Sequence, residues 1–348
     1  MNVHCRQVGL FCASAVFAIL ALLHGRIVAS GPLSLPTASG IAPGDVLIVD
    51  FFNDWLKFEP STGQLFSLPW TDRPFSILGG KFTFDLDGTV IRPSNGSLIR
   101  IHPVTGNASP IGLPTIPGAA DIAVTPEGDY VIARPATTAS IENGEWLNGI
   151  DGGLYYYRRA TGELTAFPKP DQFSPNNVAV GVNGEIYVSE FFRGLVRIDF
   201  ASGIIHEILA ARREFTDLDV LPDGQIATAL FASSSSVQRV DPVTGNVTPL
   251  AAPFPAFRYV APDEDGGLWL TESSGLYYLD KFGNGPTLAK SATFFSPWEI
   301  AFVPSGWTPP IPEPQSLSLA MAACLCSVRR RTCLKHLDET QSQPTREN

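Results

Sequence analysis

Pro103-Val104-Thr105-Gly106-Asn107 recurs word for word as Pro242-Val243-Thr244-Gly245-Asn246, and this repeat decides the fold. Looser copies stand at Pro60-Ser61-Thr62-Gly63, Arg159-Ala160-Thr161-Gly162, Phe200-Ala201-Ser202-Gly203 and Lys281-Phe282-Gly283-Asn284. Counted along Gly63, Gly106, Gly162, Gly203, Gly245 and Asn284, the spacings are 43, 56, 41, 42 and 39 residues. A period of about 40 residues carrying about four short strands is the spacing of a β-propeller blade. Within one period, Asp121-Ile122-Ala123-Val124 leads to a turn at Pro126-Glu127-Gly128. A second strand (130–133), a third (153–158), the Thr-Gly turn and a fourth (163–167) follow. Alternating polarity, β-branched and aromatic enrichment and glycine-bearing turns all predict strands.

The ends of the array say how the ring closes. The first period begins at its second strand, Val46-Leu47-Ile48-Val49, and the missing first strand stands at the far end as Trp298-Glu299-Ile300-Ala301-Phe302. The expectation is an all-β, six-bladed β-propeller over 44–306, closed by a C-terminal strand pairing into the first blade. Such closure removes the exposed sheet edges of a linear array.

Composition agrees. The chain has 348 residues with 31 Gly and 30 Pro, only 17% charged and 44% apolar, which suits short strands joined by turns and argues against disorder. Its net charge of −10 argues against a nucleic-acid partner, since phosphate binding needs a basic face. All five cysteines fall at the ends (Cys5, Cys12, Cys324, Cys326, Cys333), so the body must be stable through packing and not disulfides. Residues 31–312 hold 17 basic and 30 acidic side chains, a balance attractive to cations.

Both ends read as addresses. Arg6, an apolar run over 8–23 and Val28-Ala29-Ser30 lay out a secretory signal peptide over 1–30 with cleavage after Ser30; an uncleaved anchor is the other reading. A linker (31–43) follows it. Beyond the body, a Pro-rich linker (307–316) carries Pro312-Glu313-Pro314. It is followed by an apolar stretch and Arg329-Arg330-Arg331 (317–331), then a polar tail (332–348). An apolar stretch stopped by arginines is retained in a membrane with its cationic end cytoplasmic. This order resembles the PEP-CTERM sorting signal of exopolysaccharide-producing bacteria. The resemblance implies an exosortase-like sorting enzyme as partner, transient membrane contact through the tail, and delivery to the cell surface or extracellular matrix.

The body, through Pro175-Asn176-Asn177-Val178-Ala179-Val180 and Gly184-Glu185-Ile186-Tyr187-Val188, resembles NHL-repeat, gluconolactonase-like and streptogramin-lyase-like propellers. That superfamily mixes enzymes with binding modules. If the first strand of each blade starts on a top face, its opening residue rings the central channel there. Counting back seven residues from the turn glycines gives Lys81, Asp121, Asn177, Asp217 and Glu299, and Arg258 joins them with its turn read as one residue longer. The resemblance implies a divalent cation such as Ca²⁺ on Glu299, Asn177 and Asp217, with Asp121 beside them. Hard oxygen ligands of this kind suit that ion. Lys81 and Arg258 offer the other way of neutralising the acids, without an ion.

Further top-face candidates are Phe51 and Phe191, each followed by a second Phe, and Trp146 in an insertion at 135–150 that reads as a long loop. Asp50, Glu190 and Glu272, which end second strands, are expected to accept hydrogen bonds from loop amides. The body's histidines, His102 and His206, sit beside bottom-face turns. The channel therefore lacks the histidine that a streptogramin-lyase-like reaction implies. Two functions stay open. One is a surface module binding matrix polysaccharide or a surface protein through its top face. The other is a metal-dependent lactone hydrolase.

Overall fold

A computed structural model describes residues 35–308 except 51–53, 71–80, 95, 137–138, 143–144, 149–151, 169–172, 211–214, 231–236, 251–256, 273–274 and 292–296. Ser30, Phe51, Pro312, Glu313, Pro314 and Arg329 to Arg331 lie outside the described residues, as do both address segments.

The body is an all-β propeller of six four-stranded antiparallel sheets. In blade one, Pro297–Phe302 is the innermost strand and pairs with Val46–Asp50, from Val46 opposite Phe302 to Val49 opposite Glu299. The first blade is thus built from both ends of the array. The insertion does not stay a loop: Ala139–Glu142 and Glu145–Asn148 form a separate hairpin, with Trp146 opposite Ile141. The side chain of Trp146 lies outside the described residues.

Burial grades outward across each blade. Second strands such as Val46–Asp50, Ile186–Glu190, Ile226–Leu230 and Leu268–Glu272 are buried throughout. A strand covered on both faces reads as a continuous apolar run. Outer strands such as Ala108–Pro110 are exposed throughout. Six apolar clusters fill the six blade-to-blade interfaces among the described residues. The cluster between blades one and two is the most aromatic, with Trp55, Trp70, Phe82 and Trp307.

The termini of the array are tied down at that same interface. Gly44 donates its amide to the Val303 carbonyl at 2.8 Å, and Val303 donates to Asp45 at 2.9 Å. Trp307 then crosses to blade two, where its indole N–H donates to the Gly88 carbonyl at 2.9 Å. Gly88 has φ +80°, and a Cβ there would run into the Thr308 carbonyl. Glycine is therefore required both by conformation and by contact. On the bottom face, buried Asp85 of blade two accepts from Arg159 (2.8 Å) and the Tyr130 hydroxyl (2.9 Å), both of blade three. The sequence reading did not single out this tie.

Candidate functional site

A cavity of about 280 Å³ opens on the channel axis, walled by the innermost strands. Lys81, Asp121, Asp217 and Glu299 line it, four of the six ring residues expected from the turn spacing. Local irregularity helps aim them. The ladder shifts between Phe215 and Asp217, between Pro175 and Asn177, and opposite Glu299, between Val49 and Asp50. Such bulges re-aim the side chain that follows.

The register corrects one ring position. Every first strand stands three residues from ring position to strand end, so Asp121 matches Val124 as Asp217 matches Val220. In blade six the strand ends at Pro262, opposite Leu268, which puts Tyr259 at the ring position, opposite Thr271. The turn Asp263 to Gly267 closes with the same reach as Thr125 to Asp129. It is not longer, and Arg258 lies one residue before the ring; it does not line the cavity. Asn177 has the right register but turns away. Its amide donates to the Ser189 hydroxyl at 2.8 Å and to the Phe215 carbonyl at 3.4 Å.

The acids have a physical reason to be there. The innermost strand of a blade is a sheet edge, and its N–H groups need acceptors. The Asp121 carboxylate accepts the Ile122 amide at 2.7 Å and, across the blade boundary, the Val178 amide at 2.8 Å. Asp217 repeats this with Leu218 and Val260, both at 2.8 Å. The Lys81 ammonium donates to Asp217 and stands 3.7 Å from Asp121. Glu299 takes the equivalent place in blade one and accepts from the Ile300 amide, yet its Oε2 is buried with no hydrogen-bond partner.

One step deeper, the residues two positions on are Thr83, Ala123, Ala179, Asp219, Ala261 and Ala301. Asp219, whose carboxylate accepts the Val220 amide, is the single charged member of this collar. The cavity wall thus carries four carboxyl groups and one ammonium. Burial pushes the Glu299 carboxyl up to about 8, with the charges of Asp121 and Asp219 adding to the rise and Lys81 opposing it. Burial likewise pushes Asp219 up to about 6 and raises Asp121. Burial, then the nearby charge of Glu299, raises the Tyr259 hydroxyl.

These residues do not fit a divalent ion. Asp121 and Asp217 already accept two amides each, the Asn177 amide faces another way, and the Lys81 ammonium stands among the remaining oxygens. Among the described residues no group of three or more His, Cys, Asp or Glu is arranged to hold a metal.

Away from the axis, Glu190 accepts the amides of Ser174 (2.7 Å), Phe192 (3.0 Å) and Arg193 (2.7 Å), fixing the turn after its strand. That turn presents Phe191 and Phe192, 45% and 44% exposed, with ring centroids 5.1 Å apart and nearly perpendicular. His102 caps its own turn, accepting the amides of Val104 and Thr105.

No protein-family model matches the chain, and no curated protein matches it in sequence. Solved structures do. A gluconolactonase-like protein shares 18% identity and a TM-score of 0.52 over 71% of this chain and 88% of its own. Virginiamycin B lyase from Staphylococcus aureus shares 18% identity and a TM-score of 0.47 over 73% of this chain and 82% of its own. At such identity the first of these likenesses establishes the propeller fold and nothing finer.

Proposed function

We propose that this chain is an exported surface or matrix protein whose propeller binds a ligand or partner through the top face and the central channel. The observation that carries the binding reading is the Lys81 ammonium seated among the channel carboxylates. It supplies from within the chain the positive charge that a metal-dependent hydrolase would take from an ion. Lactone hydrolysis on a channel-bound dication lacks its donor set here. Binding sites are commonly concave and furnished with convergent polar groups; this channel is concave, and polar groups dominate its lining. The exposed Phe191–Phe192 pair adds an aromatic platform suited to a matrix polysaccharide. Export rests on the signal-peptide layout of 1–30, and sorting by an exosortase-like enzyme rests on Pro312-Glu313-Pro314 and the arginine cluster.

The test is metal analysis of the full chain purified without chelator, with calorimetric titration of Ca²⁺, Mg²⁺, Mn²⁺ and Zn²⁺, beside co-sedimentation with extracellular polysaccharide. The expected result is no stoichiometric ion and no metal heat, with co-sedimentation lost in the Phe191→Ser/Phe192→Ser variant. A stoichiometric ion that disappears in Asp217→Ala would replace binding with the hydrolase reading. Cell fractionation with and without residues 317–331 tests the address.

A further inference from the structure

The channel holds more acid than its own lysine can neutralise. Lys81 answers Asp217 and approaches Asp121, which leaves Glu299 and Asp219 without a cationic partner at hydrogen-bonding distance among the described residues. Glu299 is only 5% exposed, belongs to the cavity wall and keeps one oxygen unpartnered. A buried polar atom left unpaired costs free energy, and a ligand that supplies the missing donor recovers it.

The rest of the wall narrows what that donor is. Ala123, Ala179 and Ala301 of the collar, with Val124, Val180 and Phe302, form an apolar layer of the cavity beyond the ring carboxylates. An inorganic dication needs several convergent oxygens, and the amides have taken those of Asp121 and Asp217. A monovalent ammonium needs only one or two acceptors, suffers half the repulsion from Lys81, and carries a hydrocarbon body to lie against alanine.

We infer that the channel is a seat for the protonated primary amine of a small ligand, its ammonium taken by Glu299 and Asp219 and its body lying along the alanine collar. This rests on the reading of the chain as a binding module and names the chemistry of the bound group. A free alkylamine and an amino-sugar unit of a polysaccharide share that chemistry.

Isothermal titration of the full chain with n-butylammonium against n-butanol, and with glucosammonium against glucose, tests it. At least one amine is expected to bind with one-to-one stoichiometry while its neutral counterpart does not. Butylammonium alone identifies a free amine as the source, and glucosammonium an amino sugar. Glu299→Gln and Asp219→Asn are each expected to weaken binding about tenfold or more, since a bound ammonium favours the ionised form of both carboxyls and an amide of the same volume cannot ionise. Asp219, on the channel wall and outside the blade-to-blade ties, keeps the test valid if the Glu299 variant folds poorly. Equal binding of the neutral counterpart overturns the inference, as does undiminished binding by Asp219→Asn. No amine binding up to about 10 mM, well past the millimolar class of weak contacts, also overturns it. If polysaccharide still co-sediments in that case, only the ammonium seat falls; if neither binds, the binding reading falls with it.

Discussion

Lys81 and Asp217 stand on opposite blades of the ring, the second and the fifth, and their side chains meet across the channel axis. The contact joins positions 136 residues apart and is buried, with 10% and 2% of the two side chains exposed. Removing one member of such a pair leaves an uncompensated charge, which is costlier than never having built the pair. Lys81→Met is therefore expected to cost about 3 kcal/mol by denaturant midpoint. The double variant Lys81→Met/Asp217→Asn should recover part of that loss; simple additivity would mean the two groups do not interact in solution.

Asp121 ties blade three to blade four through the Val178 amide. Asp121→Ala leaves two buried amides without acceptors and should cost roughly 2–4 kcal/mol. Hydrogen exchange provides a local readout. The Val178 amide should lose protection more than amides in blades five and six, whereas a uniform change would point to global destabilisation alone.

Protonation of Glu299 sets a direction for stability against pH. Its carboxyl holds a proton up to about 8 when folded and releases it near 4.5 when unfolded. The folded state then binds more protons than the unfolded one through that interval, so stability falls as pH rises across it and levels off above. Asp219 adds the same sign between 3.8 and about 6. Melting temperature followed from pH 4 to pH 9 should decline more steeply in the wild type than in Glu299→Gln. The variant should be the more stable of the two near pH 9. Parallel profiles would show that Glu299 titrates normally.

Trp307 anchors the end of the array in the aromatic cluster between blades one and two. Trp307→Ala removes a large buried ring and the bond to Gly88, for an expected loss of about 3 kcal/mol or more. Gly88→Ala should destabilise as well, because it forces a side chain into a left-handed backbone and against Thr308. Phe191→Ser, by contrast, should shift stability by no more than about 0.5 kcal/mol, its ring being half in solvent. Chemical denaturation of the three variants separates an anchoring role from a surface one.

The fold was legible because the blades repeat their turn chemistry: a positive-φ glycine such as Gly128 or Gly184 marks the first turn of blades two to six and fixes strand length on either side. Closure was legible too, since the first period lacked a first strand and Trp298 to Phe302 stood at the far end with no blade of its own. Ring membership followed for Lys81, Asp121, Asp217 and Glu299 by counting. It failed at Arg258, which needs a turn one residue longer before Gly266, whereas Tyr259 stands seven residues before that glycine, the spacing of the other blades. Orientation was beyond counting. Asn177 has the spacing of a ligand, but the Ser189 hydroxyl opposite it captures its amide, and that residue lies on another strand. The use of aspartate to cap the neighbouring blade's edge amides was missed for the same reason: Val178 and Val260 look like core in the sequence, and only their backbone takes part. The hairpin inside the insertion was missed because its strands are only four residues each, too short for the pattern of Ala139–Glu142 to stand out, and Glu145–Asn148 does not alternate.

Pro297–Phe302 both completes the first blade and delivers Glu299 to the cavity. Synthesis runs from the N-terminus, so this strand leaves the ribosome after all the other described strands. A chain cut short before it has neither a shut ring nor a complete pocket, and its first blade shows a bare edge to quality control. Circularity and a complete pocket therefore arrive together, and a copy truncated before Pro297 lacks both.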